Sequence, residues 1–184
     1  MRLLIDCTYF CKGERFIQNA PTTIDTEDQN EIAVKDTIEG YVETLQGEFL
    51  CSMLGDSVAA ILQSYLDQKA EVDARNAKLE DGEEPETFET DAELEFLADG
   101  LKESFADYVF YKMLRSVNTL VTTTGVVELK SANRYRTPAD RQASIWNRMV
   151  GRNMKFVEAA KKALANYTIY YSANLVTPIN PHNL

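Results

Sequence analysis

Apolar positions along the chain fall mostly at steps of three and four. Val34, Ile38, Tyr41, Leu45 and Phe49 step by 4, 3, 4 and 4, one face of an amphipathic helix. Asp25, Glu27, Asp28 and Glu31 crowd its start, where negative charge interacts favourably with the helix dipole. Gly47 and Gly55 bracket a short helical segment, with Gly55 suited to the position just past its end. Asp56 or Ser57 then caps a further helix with Val58, Ile61, Leu62, Tyr65 and Leu66 as its buried stripe. Leu94, Leu97, Leu101, Phe105 and Tyr108 repeat the spacing, and residues 105–114 are apolar on more than one face. That pattern predicts a central, buried helix over about 91–117, roughly 40 Å long. Thr137-Pro138-Ala139-Asp140 reads as a helix start, with threonine capping, proline at the first turn and an acid at the third position. Trp146, Met149, Asn153, Phe156, Ala160, Leu164 and Tyr167 follow at helical spacing.

Other stretches lack that rhythm. Residues 1–27 give mixed signals, with residues 3–5 suited to a short strand or a helix start. Between Asp67 and Glu93 lie 11 acids, 3 bases and few large apolar residues, which predicts an exposed acidic insertion dispensable for folding. Residues 119–129 are β-branched and poor in helix formers, as in an extended loop or a small hairpin turning at Gly125. After Tyr167 the pattern fades, and Pro178 and Pro181 exclude another helix. The fold expected is therefore all-α: a helical bundle of about four main helices, with an extended or small β loop at about 119–130. Residues 1–167 form the bundle domain, with its acidic insertion at about 67–92, and residues 168–184 an extended C-terminal arm.

At 184 residues the chain can bury one real core, and 45% hydrophobic with 26% charged residues is near the globular average. No stretch reaches the roughly 18 apolar residues of a membrane span. Asp6 interrupts any apolar leader, so a cytosolic setting is expected, without a membrane partner. Three cysteines, Cys7, Cys11 and Cys51, make no paired framework and read as reduced thiols. The net charge of −10 is unevenly spread. Residues 1–110 hold 26 acids and 8 bases, whereas residues 111–184 hold 3 acids and 11 bases. Such a chain is suited to stacking head to tail, or to facing two partners of opposite charge.

Catalytic chemistry finds no foothold. The phosphate-loop, dinucleotide, H-E-x-x-H and G-x-S-x-G patterns are all missing. His182, the single histidine, sits in the terminal arm, where no dyad geometry is held. Glu83-Glu84 and Glu93/Glu95 read as solvated acids before they read as a cation site. No enzyme activity, cofactor or metal is expected. Arg134, Tyr135 and Arg136, with Arg141, Arg148 and Arg152 on one helix face and Trp146 interleaved, are suited to non-specific phosphate contact lining a DNA channel. They do not suit base reading.

Two runs carry a resemblance. Residues 42–55, VETLQGEFLCSMLG, are similar to a helix and F-L-x-x-x-L-G turn in small phage and prophage proteins of gut Bacteroidales. Residues 105–115, FADYVFYKMLR, followed by TTTGVV at 122–127, resemble that group's tyrosine-rich central helix and threonine-rich loop. The family is the head–tail connector, or head-completion and neck-adaptor, group of tailed bacteriophages, of crAss-like type. The likeness covers roughly residues 28–66 and 93–167. It implies a structural virion protein, assembled in the host cytoplasm, whose copies form a ring, dodecameric in that family. The ring joins the portal protein to a tail or neck protein. The alternative is a monomeric acidic binding or regulatory module acting on a basic partner.

Under the ring reading, residues 122–129 and the arm are the joining elements. An unpaired β-branched stretch offers backbone groups for a neighbour to complete. Thr122, Thr124, Val126 and Val127 belong to it, and Arg134, Tyr135 and Arg136 follow. Tyr170, Tyr171, Leu175 and Ile179 in the arm are suited to anchoring on another chain, and deleting the arm should leave the bundle folded.

Overall fold

The computed structural model describes residues 1–79, 84–117, 119–122, 125–128 and 138–180. Helices α1 (Gln29–Leu54), α2 (Asp56–Asn76), α3 (Ala92–Val117) and α4 (Pro138–Ala163) form a bundle. An antiparallel hairpin, β1 (Thr119–Thr122) and β2 (Gly125–Glu128), stands between α3 and α4. The chain is an all-α helical bundle with this hairpin as its one β element among the described residues. Among the described residues no helix is long and apolar enough to cross a membrane.

Helix α1 runs straight through Gly47, where the sequence suggested a break. Glycine inside a helix costs about 0.5–1 kcal/mol. Burial of Leu45, Phe49, Leu50, Met53 and Leu54 on both sides of it outweighs that cost. Asp28 caps the start, accepting from the N–H groups of Asn30 and Glu31 at 2.8 and 3.3 Å. At the far end a single residue turns the corner. Gly55 donates its N–H to the Cys51 carbonyl and accepts from Ala59 N–H with its own, so it caps both helices. Neither Asp56 nor Ser57 takes the capping role; α2 has no side-chain cap.

Gly55 sits at φ 80°, ψ 156°, a region essentially reserved for glycine. A Cβ there would also meet Tyr170 Cβ at 3.3 Å. Gly55→Ala is expected to destabilise the protein by about 1–3 kcal/mol, read by chemical denaturation. A neutral result would mean that the corner can be remade.

Helices α1 and α3 are antiparallel, since Tyr41 lies beside Ser116 and Glu48 beside Tyr108. Helices α3 and α4 pack most extensively, also antiparallel. Gly100 faces Phe156, Ser104 faces Asn153, and Tyr111 faces Trp146, at successive levels. Gly100 has no room for a Cβ, which would stand 2.8 Å from the Phe156 ring. Small and large side chains interlock there. Leu114, expected at the densest part of α3, is only partly buried.

The acidic stretch departs from expectation in its first third. Helix α2 continues to Asn76, and Val72 is buried. Tyr65 donates to Glu95 at 2.6 Å, Lys69 pairs with the same carboxylate, and Phe88 packs on the Tyr65 ring with centroids 5.2 Å apart. Asn76 holds Glu86 through its side-chain amide in both directions, at 2.8 and 2.9 Å. A segment without apolar periodicity is thus tethered by single side chains. Residues 1–28 form neither strand nor α-helix. They lie along the bundle with two short 3-10 turns, burying Leu4, Ile5, Cys7 and Phe10. Fully buried Gln46 accepts from Leu4 N–H at 2.7 Å and donates to the Arg2 carbonyl at 2.9 Å, standing in for the strand partner that residues 3–5 lack.

Candidate interaction surfaces

Charge divided by sequence is not divided in space. Asp107, in the middle of α3, is 0% exposed and collects three arginines from two other parts of the chain. Arg148 reaches it through Nε and Nη2, at 3.0 and 2.5 Å, Arg15 approaches at 3.2 Å, and Arg152 donates to Oδ2. Glu103 pairs with Arg15 and Arg152, and Glu14 with Arg148, so acids of the first part of the chain meet arginines of the second in one cluster. Burial works against the charge on Arg148, but Asp107, Glu14 and Glu103 together hold its pKa above the ordinary value. Arg141 lies over the Phe110 ring, 5.2 Å from its centroid, and donates to the Glu14 carbonyl. The arginines proposed for phosphate contact on α4 are therefore engaged within the chain, and Arg134, Tyr135 and Arg136 lie outside the described residues.

The arm docks on its own bundle. Like any helix, α1 leaves its last carbonyls without helical partners. Gly55 N–H takes that of Cys51, Ser172 N–H that of Ser52 at 2.7 Å, and Tyr170 N–H that of Leu54 at 3.1 Å. Leu175 is 5% exposed and belongs to the core, while its carbonyl accepts from the fully buried Asn153 amide at 2.7 Å. Further on, Trp146 Nε1 donates to the Thr177 carbonyl, and Asn147 bonds Ile179 in both directions. Leu175 and Ile179, read from sequence as anchors for another chain, thus anchor residues 168–180 to α1 and α4. The side chains of Tyr170 and Tyr171 stay exposed, at 74% and 40%, although the Tyr170 backbone takes part in the docking.

The hairpin places Val121 opposite Val126 and Leu120 opposite Val127, with Thr122 beside Gly125 at the turn. The β-branched stretch finds its partner in itself, and among the described residues the outer edge of each strand has no further strand beside it. Beyond its own pairing, the hairpin lies near α3 through β1, which follows that helix in the chain. Thr124 lies outside the described residues.

Sequence reasoning did not find a pocket of about 250 Å³ that opens between α1, α3, α4 and the arm. Tyr108, Tyr111 and Trp146 wall it, with Lys112 and Arg115 beside them and Glu48 opposite. Burial, and then its 2.8 Å bond to Glu48, push the Tyr108 hydroxyl above its usual range. Only the aromatic content of α3 hinted at it, because three of its walls come from distant parts of the chain.

The thiols carry no shared site. Cys7 is buried, which raises its pKa; Cys11 donates to the Thr8 carbonyl, and Cys51 is exposed. Glu93 accepts from the backbone of Ala165 and Asn166 and so closes the end of α4, while Glu95 serves Tyr65 and Lys69. Among the described residues no three potential ligands gather around a metal position. No protein family, curated protein or solved structure matches the chain.

Proposed function

We propose that the chain is a structural assembly subunit, which joins copies of itself in a ring between the portal and the tail of a bacteriophage virion. The observation that carries this reading is the hairpin at Thr119–Thr122 and Gly125–Glu128. It follows α3 in the chain, and among the described residues neither strand has a second partner strand. An open edge can be completed by a strand of a neighbouring copy, with main-chain hydrogen bonds supplying the contact. The ionic cluster at Asp107 fits the same role, since it ties the N-terminal segment, α3 and α4 into one body. The resemblance of residues 105–115 and 122–127 to connector proteins names the assembly.

Light scattering after size-exclusion chromatography tests the reading. The intact chain is expected to form a closed oligomer, alone or when mixed with the portal protein of its particle. Replacing residues 119–128 with a short Gly/Ser linker should give a monomer with unchanged helical circular dichroism. An intact chain that stays monomeric under both conditions, or a linker variant that assembles as well as the parent, would sink the proposal. Stable one-to-one binding to a basic protein by the intact monomer would favour an acidic binding module instead.

A further inference from the structure

We propose that the pocket walled by Tyr108, Tyr111 and Trp146 is a receptor for a carboxylate carried on an acidic protein segment. Its source is the extended acidic stretch around residues 84–89 of a neighbouring copy. The identity of the donor chain rests on the ring reading; the chemistry of the pocket does not.

Lys112 sets that chemistry. Its ammonium is 3.6 Å from Glu48, too far for a hydrogen bond, and 5.0 Å from the centroid of the Tyr108 ring. The side chain is 36% exposed and lines the pocket, and among the described residues an ion pair and a ring are what hold its three donors. Glu48, the one acid of the lining, already accepts from the Tyr108 hydroxyl. Arg115 stands beside Lys112, with its guanidinium 5.8 Å from the Tyr111 centroid. Ser172 and Asn174 of the docked arm complete a polar rim. A carboxylate entering there meets the ammonium directly, and a charge-assisted hydrogen bond forms in a partly dehydrated setting.

Size and shape exclude two other ligand classes. At about 250 Å³ the pocket is smaller than the roughly 300–1,000 Å³ of typical small-molecule sites, and it suits one side chain. Nucleotide binding would need an open aromatic face for the base. Tyr108 and Tyr111 are only 4% and 5% exposed, and Trp146 is packed against Tyr111 at 4.7 Å. Those rings make a wall and leave no platform.

The acidic stretch cannot reach its own pocket. It precedes Ala92, whereas Tyr108 lies 16 residues along α3, about 24 Å at the helical rise. Asn76 and Tyr65 also pin it at Glu86 and Phe88. Glu84 and Glu89 are exposed in a stretch outside any helix or strand, where a single side chain can be presented to a pocket. Donor and acceptor on different parts of one chain make a head-to-tail contact, which closes into a ring when the rotation permits.

Trp146, the single tryptophan of the chain, reports occupancy by its fluorescence. Titration with an acetylated, amidated peptide of residues 84–90 is expected to give a saturable change. The same peptide with glutamine at positions 84, 86 and 89 should give none. Lys112→Ala, checked for folding by circular dichroism, should weaken the acidic peptide about tenfold or more. Equal response to the acidic and glutamine peptides, no saturable response at all, or a response to adenosine monophosphate but not to the peptide would overturn the assignment. An oligomer that forms while the peptide fails to bind rejects this pocket and leaves the ring reading standing. Peptide binding to a chain that remains monomeric rejects the ring and keeps the site.

Discussion

Replacing Asp107 with alanine is expected to destabilise the protein by about 3–5 kcal/mol, enough to lower the melting temperature by about 10 °C in a domain of this size. The carboxylate is completely buried, and Arg15, Arg148 and Arg152 all point at it. Their side chains are only 14%, 26% and 36% exposed. Removing the carboxylate leaves three guanidinium groups close together with Glu103 and Glu14 as their remaining acids, at a site water reaches poorly. Breaking such a cluster costs far more than it gained on forming, because the charges left behind stay desolvated. The control is Glu103→Ala. Glu103 touches two of the same arginines but is 51% exposed, and an exposed pair contributes about 0–1 kcal/mol. Urea unfolding of the two variants side by side decides the matter. A loss below about 1 kcal/mol for Asp107→Ala would mean that the arginines find solvent or other acids without cost.

That cluster also shows where sequence reading runs out. Arg15, Asp107 and Arg148 are separated by 92 and 41 residues, and nothing periodic links them. On its own helix Asp107 is one acid in an apolar run, and Arg148 and Arg152 read as a plain polar face. Local patterns were legible where one face of one helix carries the burial. The long helix α3, the start of α4, the corner at Gly55 and the presence of a small hairpin at 119–128 all follow from spacing or residue chemistry. Helix α1 was misread at Gly47 because propensity suggests a break that tertiary burial overrides. The end of α2 was misread because a single buried Val72 and a few tethers hold it, too few to make a stripe. The pocket at Trp146 was invisible for the same reason as the cluster: its walls meet only after α1, α3, α4 and the arm have packed.

Leu175→Ala is expected to cost about 2–5 kcal/mol, and deletion of residues 168–184 at least as much. The sequence alone suggested the opposite, a removable arm, because an extended segment shows no periodicity even when it is docked. Its attachment is by backbone and by one inserted side chain. Tyr170 and Ser172 N–H groups satisfy two of the end carbonyls of α1, so deletion returns those carbonyls to water and frays that helix end. Leu175 fills a core position, and truncation there leaves a cavity among buried neighbours. Deletion further strips the fully buried Asn153 amide of its acceptor, the Leu175 carbonyl, and an unsatisfied buried donor costs about 1–3 kcal/mol. Tyr170→Ala provides the contrast. Its side chain is 74% exposed, so stability should change by no more than about 0.5 kcal/mol. If Tyr170→Ala instead abolishes assembly while leaving the melting temperature in place, the arm has two roles. Its backbone closes α1, and its exposed rings serve a neighbour. If deletion of the arm leaves the unfolding midpoint unchanged, the docking described here does not contribute to the fold.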